Sequence, residues 1–258
     1  MKRFHSLLGF FGINLVLLKN NIKGLFFYFD DLKKLKQQKG DDTTFNFGKK
    51  YPILSERYLE SGTLSGHYFH QDLLVAQKIY KNSPTKHVDI ASRTDGFVAH
   101  IAVFREIEVL DIRKLNSSVG NIIFRQADLM KLPENMVNYC DSISSLHAIE
   151  HFGLGRYGDP IDYFGYLKAI ENITRMLKVG GTFYFSVPIG EQRIEFNAHR
   201  VFSIDYLIGV FSENYTVKTF SYVDDNGDLY KTIPLEAEKT KDNYGCSWGC
   251  GIFELVKK

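Results

Sequence analysis

From His87 onward the sequence repeats one pattern, a short apolar run followed by a segment long enough for a helix. The runs are His87–Ala91, Glu108–Ile112, Ile122–Phe124, Ser142–Leu146, Thr182–Val187, Tyr215–Phe220 and Ile252–Val256. Continuous apolar runs fill strands buried on both faces, and parallel strands need helix-length connections. One connection reads clearly as an amphipathic helix: Phe164, Leu167, Ile170, Ile173, Met176 and Leu177 share a face, and Lys178-Val179-Gly180-Gly181 marks its end. The alternation predicts an α/β fold, a doubly wound, mostly parallel sheet of seven strands. The last two runs are joined by a long polar segment, which allows an antiparallel final pair. Ahead of this block, Leu73, Ala76, Ile79 and Tyr80 predict a helix over Asp72–Lys81 with those residues on its buried face.

The front of the chain is different. Residues 1–50 carry ten Lys/Arg against four Asp/Glu, whereas the whole chain has a net charge of only +2, too little for bulk nucleic-acid binding. Residues 1–39 read as one or two helices, with Leu7, Leu8, Phe11, Leu15 and Leu18 at helical spacing and Leu25–Phe29 beside a lysine cluster. Such a segment packs on the main domain, meets a second copy of the chain, or makes a peripheral membrane contact. Phe4–Leu18 follows Met1-Lys2-Arg3 as a signal peptide would, but no small-residue cleavage site comes after it, and no run is long enough to span a bilayer. Cys140, Cys246 and Cys250 are too few for a disulfide framework. A cytoplasmic protein is expected, at most at the inner face of a membrane. The expected division is a helical extension and polar linker over 1–66 and an α/β domain over 67–258.

In an open parallel sheet, ligands sit beyond the carboxyl ends of the strands at the switch point. After the first strand, Asp89-Ile90-Ala91-Ser92-Arg93-Thr94-Asp95-Gly96 offers small residues that let a nucleotide-like ligand approach the backbone. Asp111, 22 residues beyond Asp89, can chelate two ribose hydroxyls, or be a surface turn residue. Asp128 can accept from an adenine amine with Leu129 and Met130 against the ring, or cap a helix.

These positions, with Ser142–His151 and Leu177–Gly181, resemble the ordered motifs of class I S-adenosylmethionine-dependent methyltransferases over roughly residues 70–258. More narrowly, GHYFHQD (66–72), HVDIASRTDGFVA (87–99), LDIR (110–113), LHAIEHFGLGRYGDP (146–160) and VPIGEQRIEFNAHR (187–200) are similar to the family named domain of unknown function 268. The resemblance implies a methyltransferase-like fold and a place in surface-polysaccharide biosynthesis. It assigns Asp89, Ala91, Ser92 and Gly96 to the cofactor loop, Asp111 to ribose, Asp128 and Leu129 to adenine, and His147 to the neighbourhood of the sulfonium. Methyltransferases carry Gly-x-Gly where this chain has Ala91-Ser92-Arg93.

The expected activity is O-methylation of a saccharide or nucleotide-activated saccharide. A sugar hydroxyl needs a general base. His151 or His199 suits that role, with Glu150 as orienter. Arg156, Asp159 and Arg200 are expected at the substrate, the arginines on an anionic group. Glu150, His151, Asp159 and His199 also permit a divalent cation, the less favoured reading. Trp248, Tyr230 and Tyr244 stack on a sugar or pack a loop. Two other readings stay open: a different sugar-nucleotide enzyme on the same fold, and a catalytically silent membrane-docked scaffold.

Overall fold

The computed structural model describes residues 14–132 and 135–258. The chain divides into two compact units, Met1–Thr63 and Leu64–Lys258. Leu7, Leu8 and Phe11 lie outside the described residues.

In the first unit, α1 spans Leu15–Lys39. Asn14 caps it, its side chain accepting from the Leu17 amide at 3.0 Å, and Lys36 and Lys39 sit at the negative end of the helix dipole. Gly24 is its one buried residue. A Cβ there would come 2.1 Å from the Leu54 carbonyl, so only glycine lets the returning segment cross the helix. Arg57 on that segment pairs with Asp31 at 2.9 Å.

The second unit is built on an eight-stranded sheet in the order β3-β2-β1-β4-β5-β10-β8-β9. The strands are β1 (His87–Ile90), β2 (Ile107–Asp111), β3 (Ile122–Gln126), β4 (Cys140–Leu146), β5 (Leu177–Ile189), β8 (Tyr215–Val223), β9 (Leu229–Tyr230) and β10 (Gly249–Lys257). A separate hairpin pairs β6 (Arg193–Glu195) with β7 (His199–Val201). The five strands from β3 to β5 are parallel, and β10 runs antiparallel between β5 and β8. The seven expected strands are all present. The eighth, β9, is a two-residue edge too short to leave a periodic signal.

The helices are α2 (His67–Asn82), α3 (Ala99–Ala102), α4 (Gly165–Met176), α5 (Ile204–Ser212) and α6 (Ala237–Lys241). Ser203 caps α5, as its position suggests, by accepting from the Tyr206 amide. Two expectations need correction. Helix α4 stops at Met176, and Lys178–Gly181 already belongs to the β5 segment, because Leu177 pairs with Cys140 of β4. Helix α2 begins five residues before Asp72 and buries His67, Gln71, Asp72, Val75, Ala76 and Ile79, leaving Tyr80 exposed. Its inward face includes polar residues, so apolar spacing alone sets the rotation wrongly.

Alternate residues of each strand feed opposite faces. Phe183 and Phe185 pack with Ile170, Ile173 and Phe211 on one side, whereas Tyr184 joins Val75, Ile79 and Phe97 on the other. Each fully buried phenylalanine contributes about 1.5–3 kcal/mol through apolar burial. The chain leaves β1 toward β2 on one side and returns beside it as β4 on the other, so the switch point opens beyond the carboxyl ends of β1 and β4.

Candidate functional site

At the end of β1 a hydrogen-bonded core shapes the first loop. Asp89 is fully buried and accepts from the Ser92 amide (2.9 Å) and hydroxyl (2.7 Å) and from the Ser144 hydroxyl. Ser92 Oγ in turn accepts from the Leu146 amide of β4 at 3.0 Å. Burial pushes Asp89 up to about 6, against the pull of these donors. This knot holds Ala91 in the left-handed region, at φ 56°, where its backbone borders the switch-point crevice. Arg93 turns toward Asp95, which it meets at 3.0 Å, and its guanidinium lies 5.1 Å from the Tyr68 ring centroid.

At the end of β2, Asp111 faces the crevice. Both its oxygens are taken by the guanidinium of Arg113, which also lies over Tyr157 at 4.5 Å. At the end of β3, Asp128 accepts from the Met130 amide at 3.0 Å, so it makes the turn as well as lining the crevice beside buried Leu129.

At the end of β4, His147 has φ 48° and a side chain only 5% exposed. Its Nδ1 bonds Glu150 Oε1 at 2.9 Å, and its Nε2 has no hydrogen-bond partner. Burial works against its charged form, yet the Cys250 sulfur and the Glu150 carboxylate outweigh it and raise His147 well above the usual histidine range. For Glu150, burial is likewise outweighed, by His147 and then His151, and its pKa lies below the ordinary value. His151 donates from Nδ1 to the Ala198 carbonyl at 2.7 Å, which leaves Nε2 unprotonated, 3.7 Å from Glu150 Oε1. Burial holds His151 below its ordinary pKa. His199 lies across from it, ring centroids 6.5 Å apart, but its Nε2 is met by both the Trp248 indole N–H (3.2 Å) and Glu195 (3.2 Å).

Together these groups border a cavity of about 370 Å³, within the roughly 300–1,000 Å³ range of small-molecule sites. Ala91, Asp111, Asp128, Leu129, His147, Glu150, His151, Arg156, Asp159 and His199 are all brought to it. Asp89 and Ser92 lie behind the wall. Gly96 packs instead on Asp72, where a Cβ would come 2.7 Å from a carboxylate oxygen. Arg200, expected at the substrate, is buried and donates to the carbonyls of Phe152 (2.6 Å) and Tyr163 (3.1 Å), fastening the loop after β4. The Asp159 carboxylate accepts from the Gly153, Gly155 and Tyr157 amides and is largely spent on the same loop. Sequence reasoning missed His67, Tyr68 and Arg113, which also line the cavity. His67 and Tyr68 open helix α2 inside the unusual GHYFHQD string, and Arg113 ends LDIR. Those strings were visible, but nothing in their spacing says that they converge.

Several solved structures share this architecture. The Burkholderia thailandensis 1,6-didemethyltoxoflavin-N1-methyltransferase is 11% identical, covering 73% of this chain and 78% of its own, with a TM-score of 0.52. The [4+2]-cyclase SpnF is 13% identical over 73% and 80%, also at 0.52. The YcgJ protein of Bacillus subtilis is 15% identical over 73% and 98%, at 0.50. The second unit therefore has the fold of the class I S-adenosylmethionine-dependent methyltransferases, and within it a cyclase shows that fold does not fix reaction. By sequence the chain belongs to the family described as "Caenorhabditis protein of unknown function, DUF268", whose profile matches residues 84–244. No curated protein matches the sequence.

Proposed function

We propose that the protein is an S-adenosylmethionine-dependent methyltransferase acting on a hydroxyl of a saccharide that carries an anionic group, free or as a sugar nucleotide. The observation that carries this reading is the convergence on one cavity of Asp111, Asp128 and His151 from the carboxyl ends of three strands. The cavity wall suits an adenosyl group. Asp111 and Asp128 offer carboxylates to a ribose and an adenine amine, Leu129 offers apolar surface, and Ala91 brings no bulk to the backbone. Arg93 also lines the cavity, but its guanidinium is paired with Asp95 at 3.0 Å and lies beside the Tyr68 ring. Arg113 is the competitor. It is half-exposed, so releasing Asp111 to ribose hydroxyls costs about 1 kcal/mol or less.

Bound there, S-adenosylmethionine supplies an electrophilic methyl group. This chain's residues then position an acceptor oxygen and take its proton. His151 is the base: its Nδ1 proton is fixed on the Ala198 carbonyl, its Nε2 lone pair is free, and Glu150 stabilises the imidazolium that forms. His199 is the poorer base because its Nε2 already has partners. Arg156 and Arg113 supply cations for an anionic acceptor, and Tyr157 and Trp248 supply ring faces. A role in surface-polysaccharide assembly follows from this acceptor class and the family resemblance.

S-adenosylhomocysteine tests the reading. It should raise the melting temperature, Asp111→Ala should abolish the shift, and Arg113→Ala should tighten binding by up to about five-fold. A sugar nucleotide that shifts the melt while S-adenosylhomocysteine does not would favour the non-methyltransferase alternative, for which Arg113 on Asp111 is the specific observation.

The first unit fits an anionic membrane surface. Along α1, Leu15, Leu18, Ile22, Leu25 and Phe29 are exposed at helical spacing with Phe26 beside them, and six lysines share the helix. No described helix is long and apolar enough to cross a membrane. The exposed apolar stripe and the lysines fit an interfacial contact, by apolar insertion and lysine attraction.

A further inference from the structure

Deeper in the wall of the cleft lies a second constellation that methyl transfer does not use. His67 at the start of α2, His147 after β4 and Cys250 on β10 come from three separate parts of the chain. One ligating atom from each lies within 4.8 Å of the others. The His67 and His147 rings are stacked, centroids 5.1 Å apart. Both histidines line the cleft, whereas Cys250 lies behind them with no exposed surface.

We propose that His67, His147 and Cys250 form a binding site for a divalent cation of the zinc class, with its remaining coordination position open to the cleft. Three features point to a ligand. His147 Nε2 is buried without a hydrogen-bond partner, an arrangement that costs about 1–3 kcal/mol unless something else satisfies it. His147 is held at φ 48°, a strained conformation for a residue with a side chain and one that gathers at functional sites. Its other ring nitrogen is bonded to Glu150 at 2.9 Å, the carboxylate–histidine pairing that fixes tautomer and ring orientation for metal-ligating imidazoles.

The donor set selects the ion. Two imidazoles and one thiolate suit zinc and its neighbours and disfavour magnesium or calcium, which take oxygen. Three protein ligands with one open position is the pattern of reactive rather than structural zinc sites. Zinc bonds of about 2.0 Å to nitrogen and 2.3 Å to sulfur ask for ligand atoms about 3.5 Å apart, so the side chains close on the ion by roughly 1 Å. The Cys250 thiol now donates weakly to Gln71 Oε1 at 3.6 Å; coordination releases that proton and the one that charged His147 carries to solvent, leaving a thiolate and a neutral imidazole on the metal. The same burial excludes Cys250 as a nucleophile toward a cleft ligand. This site is distinct from the set Glu150, His151, Asp159 and His199 considered on sequence grounds, where the Asp159 carboxylate is taken up by the loop.

The test uses the full chain, stripped by chelator and titrated with Zn²⁺ by calorimetry and with Co²⁺ by absorption. One equivalent should bind, and Co²⁺ should give a thiolate-to-metal charge-transfer band. Cys250→Ser should remove the band, His67→Ala should weaken Zn²⁺ at least ten-fold, and Glu150→Gln should weaken it about 10–100-fold through ring orientation. Should Cys250→Ser fail to fold, the double variant Cys140→Ala/Cys246→Ala must retain the band. Absence of binding, or Co²⁺ binding without a thiolate band, overturns the proposal. So does affinity indifferent to His67 and Cys250, which would move the ion elsewhere. The readouts are metal binding and spectra, so they stand or fall separately from S-adenosylhomocysteine binding.

Discussion

Ala91 and His147 both border the cleft in left-handed backbone without being glycine. For Ala91 the strain is a consequence of the loop. The Asp89–Ser92 knot and the bond from the Ala91 amide to the Leu110 carbonyl (2.9 Å) fix its dihedrals. Left-handed backbone costs a residue with a Cβ about 1–2 kcal/mol, so Ala91→Gly should stabilise the protein by about 0.5–1 kcal/mol, measured by urea unfolding. The neighbouring prediction separates the two candidate bases. If methyl transfer is assayed on an accepted saccharide, His151→Ala should lower kcat about 10²–10⁴-fold, and His199→Ala less than ten-fold. Burial holds His151 below 6.5, so the rate should be lost as pH falls only below that value. Equal losses in the two variants would return the assignment to ambiguity at the sequence level. There, each histidine stands near one arginine, Arg156 or Arg200, and nothing reports that Ala198 fixes one tautomer while Trp248 and Glu195 occupy the other ring.

At the scale of elements, strand β1 joins the core to the site through one chain of hydroxyls. Ser142 meets His87 Nδ1 at 2.8 Å, His87 Nε2 meets Ser144 Oγ at 3.1 Å, and Ser144 donates to Asp89. Because the Ser144 proton goes to Asp89, its oxygen accepts from His87 Nε2–H, which sets the tautomer. Burial pushes His87 down to about 3 and Asp89 up to about 6. The unfolded chain protonates the histidine at about 6.5, so this residue costs stability as pH falls from 6.5 toward 3. The carboxyl acts oppositely. The folded chain keeps its proton up to about 6 while the unfolded chain releases it at about 3.9, so its stability is present at low pH and lost as pH rises through 6. Between pH 4 and 6 the two slopes cancel. Asp89→Asn should therefore lose about 2–3 kcal/mol more than wild type on acidification from pH 6 to 4, read from urea midpoints. Elements were the most legible level of the sequence. Apolar runs located all seven principal strands, because a parallel sheet buries both faces. The rotation of α2 was not legible, since Gln71 and Asp72 are turned inward by polar partners, Gln71 accepting from Ser186 at 2.6 Å. Neither was the length of α4, set by pairing with β4.

For the molecule as a whole, the charge asymmetry of the sequence becomes, under the proposed reading, a division of labour between two units. The second unit holds every residue of the cleft, and the first holds the exposed apolar stripe and the lysines of α1. The two activities should then separate on deletion. A 64–258 fragment should keep the full melting shift with S-adenosylhomocysteine and lose sedimentation with phosphatidylserine-containing vesicles. Within the intact chain, Phe26→Asp removes apolar insertion, and Lys33→Glu/Lys34→Glu reverses two charges each worth about 1 kcal/mol near an anionic surface. Either should weaken vesicle binding about ten-fold or more, and raised salt should weaken it further. The spacing of Leu15, Leu18, Ile22, Leu25 and Phe29 also fits a seam between two copies of the helix. The two occupants respond differently. A dimer seam predicts that Phe26→Asp and the lysine reversals leave vesicle binding unaffected or absent throughout, while the full chain sediments as twice the mass of the 64–258 fragment's monomer plus its extension. Membrane docking predicts a monomer in solution and vesicle binding that follows lipid charge. Vesicle binding that survives deletion of residues 1–63 would assign the membrane contact to the α/β unit and leave α1 to a protein partner.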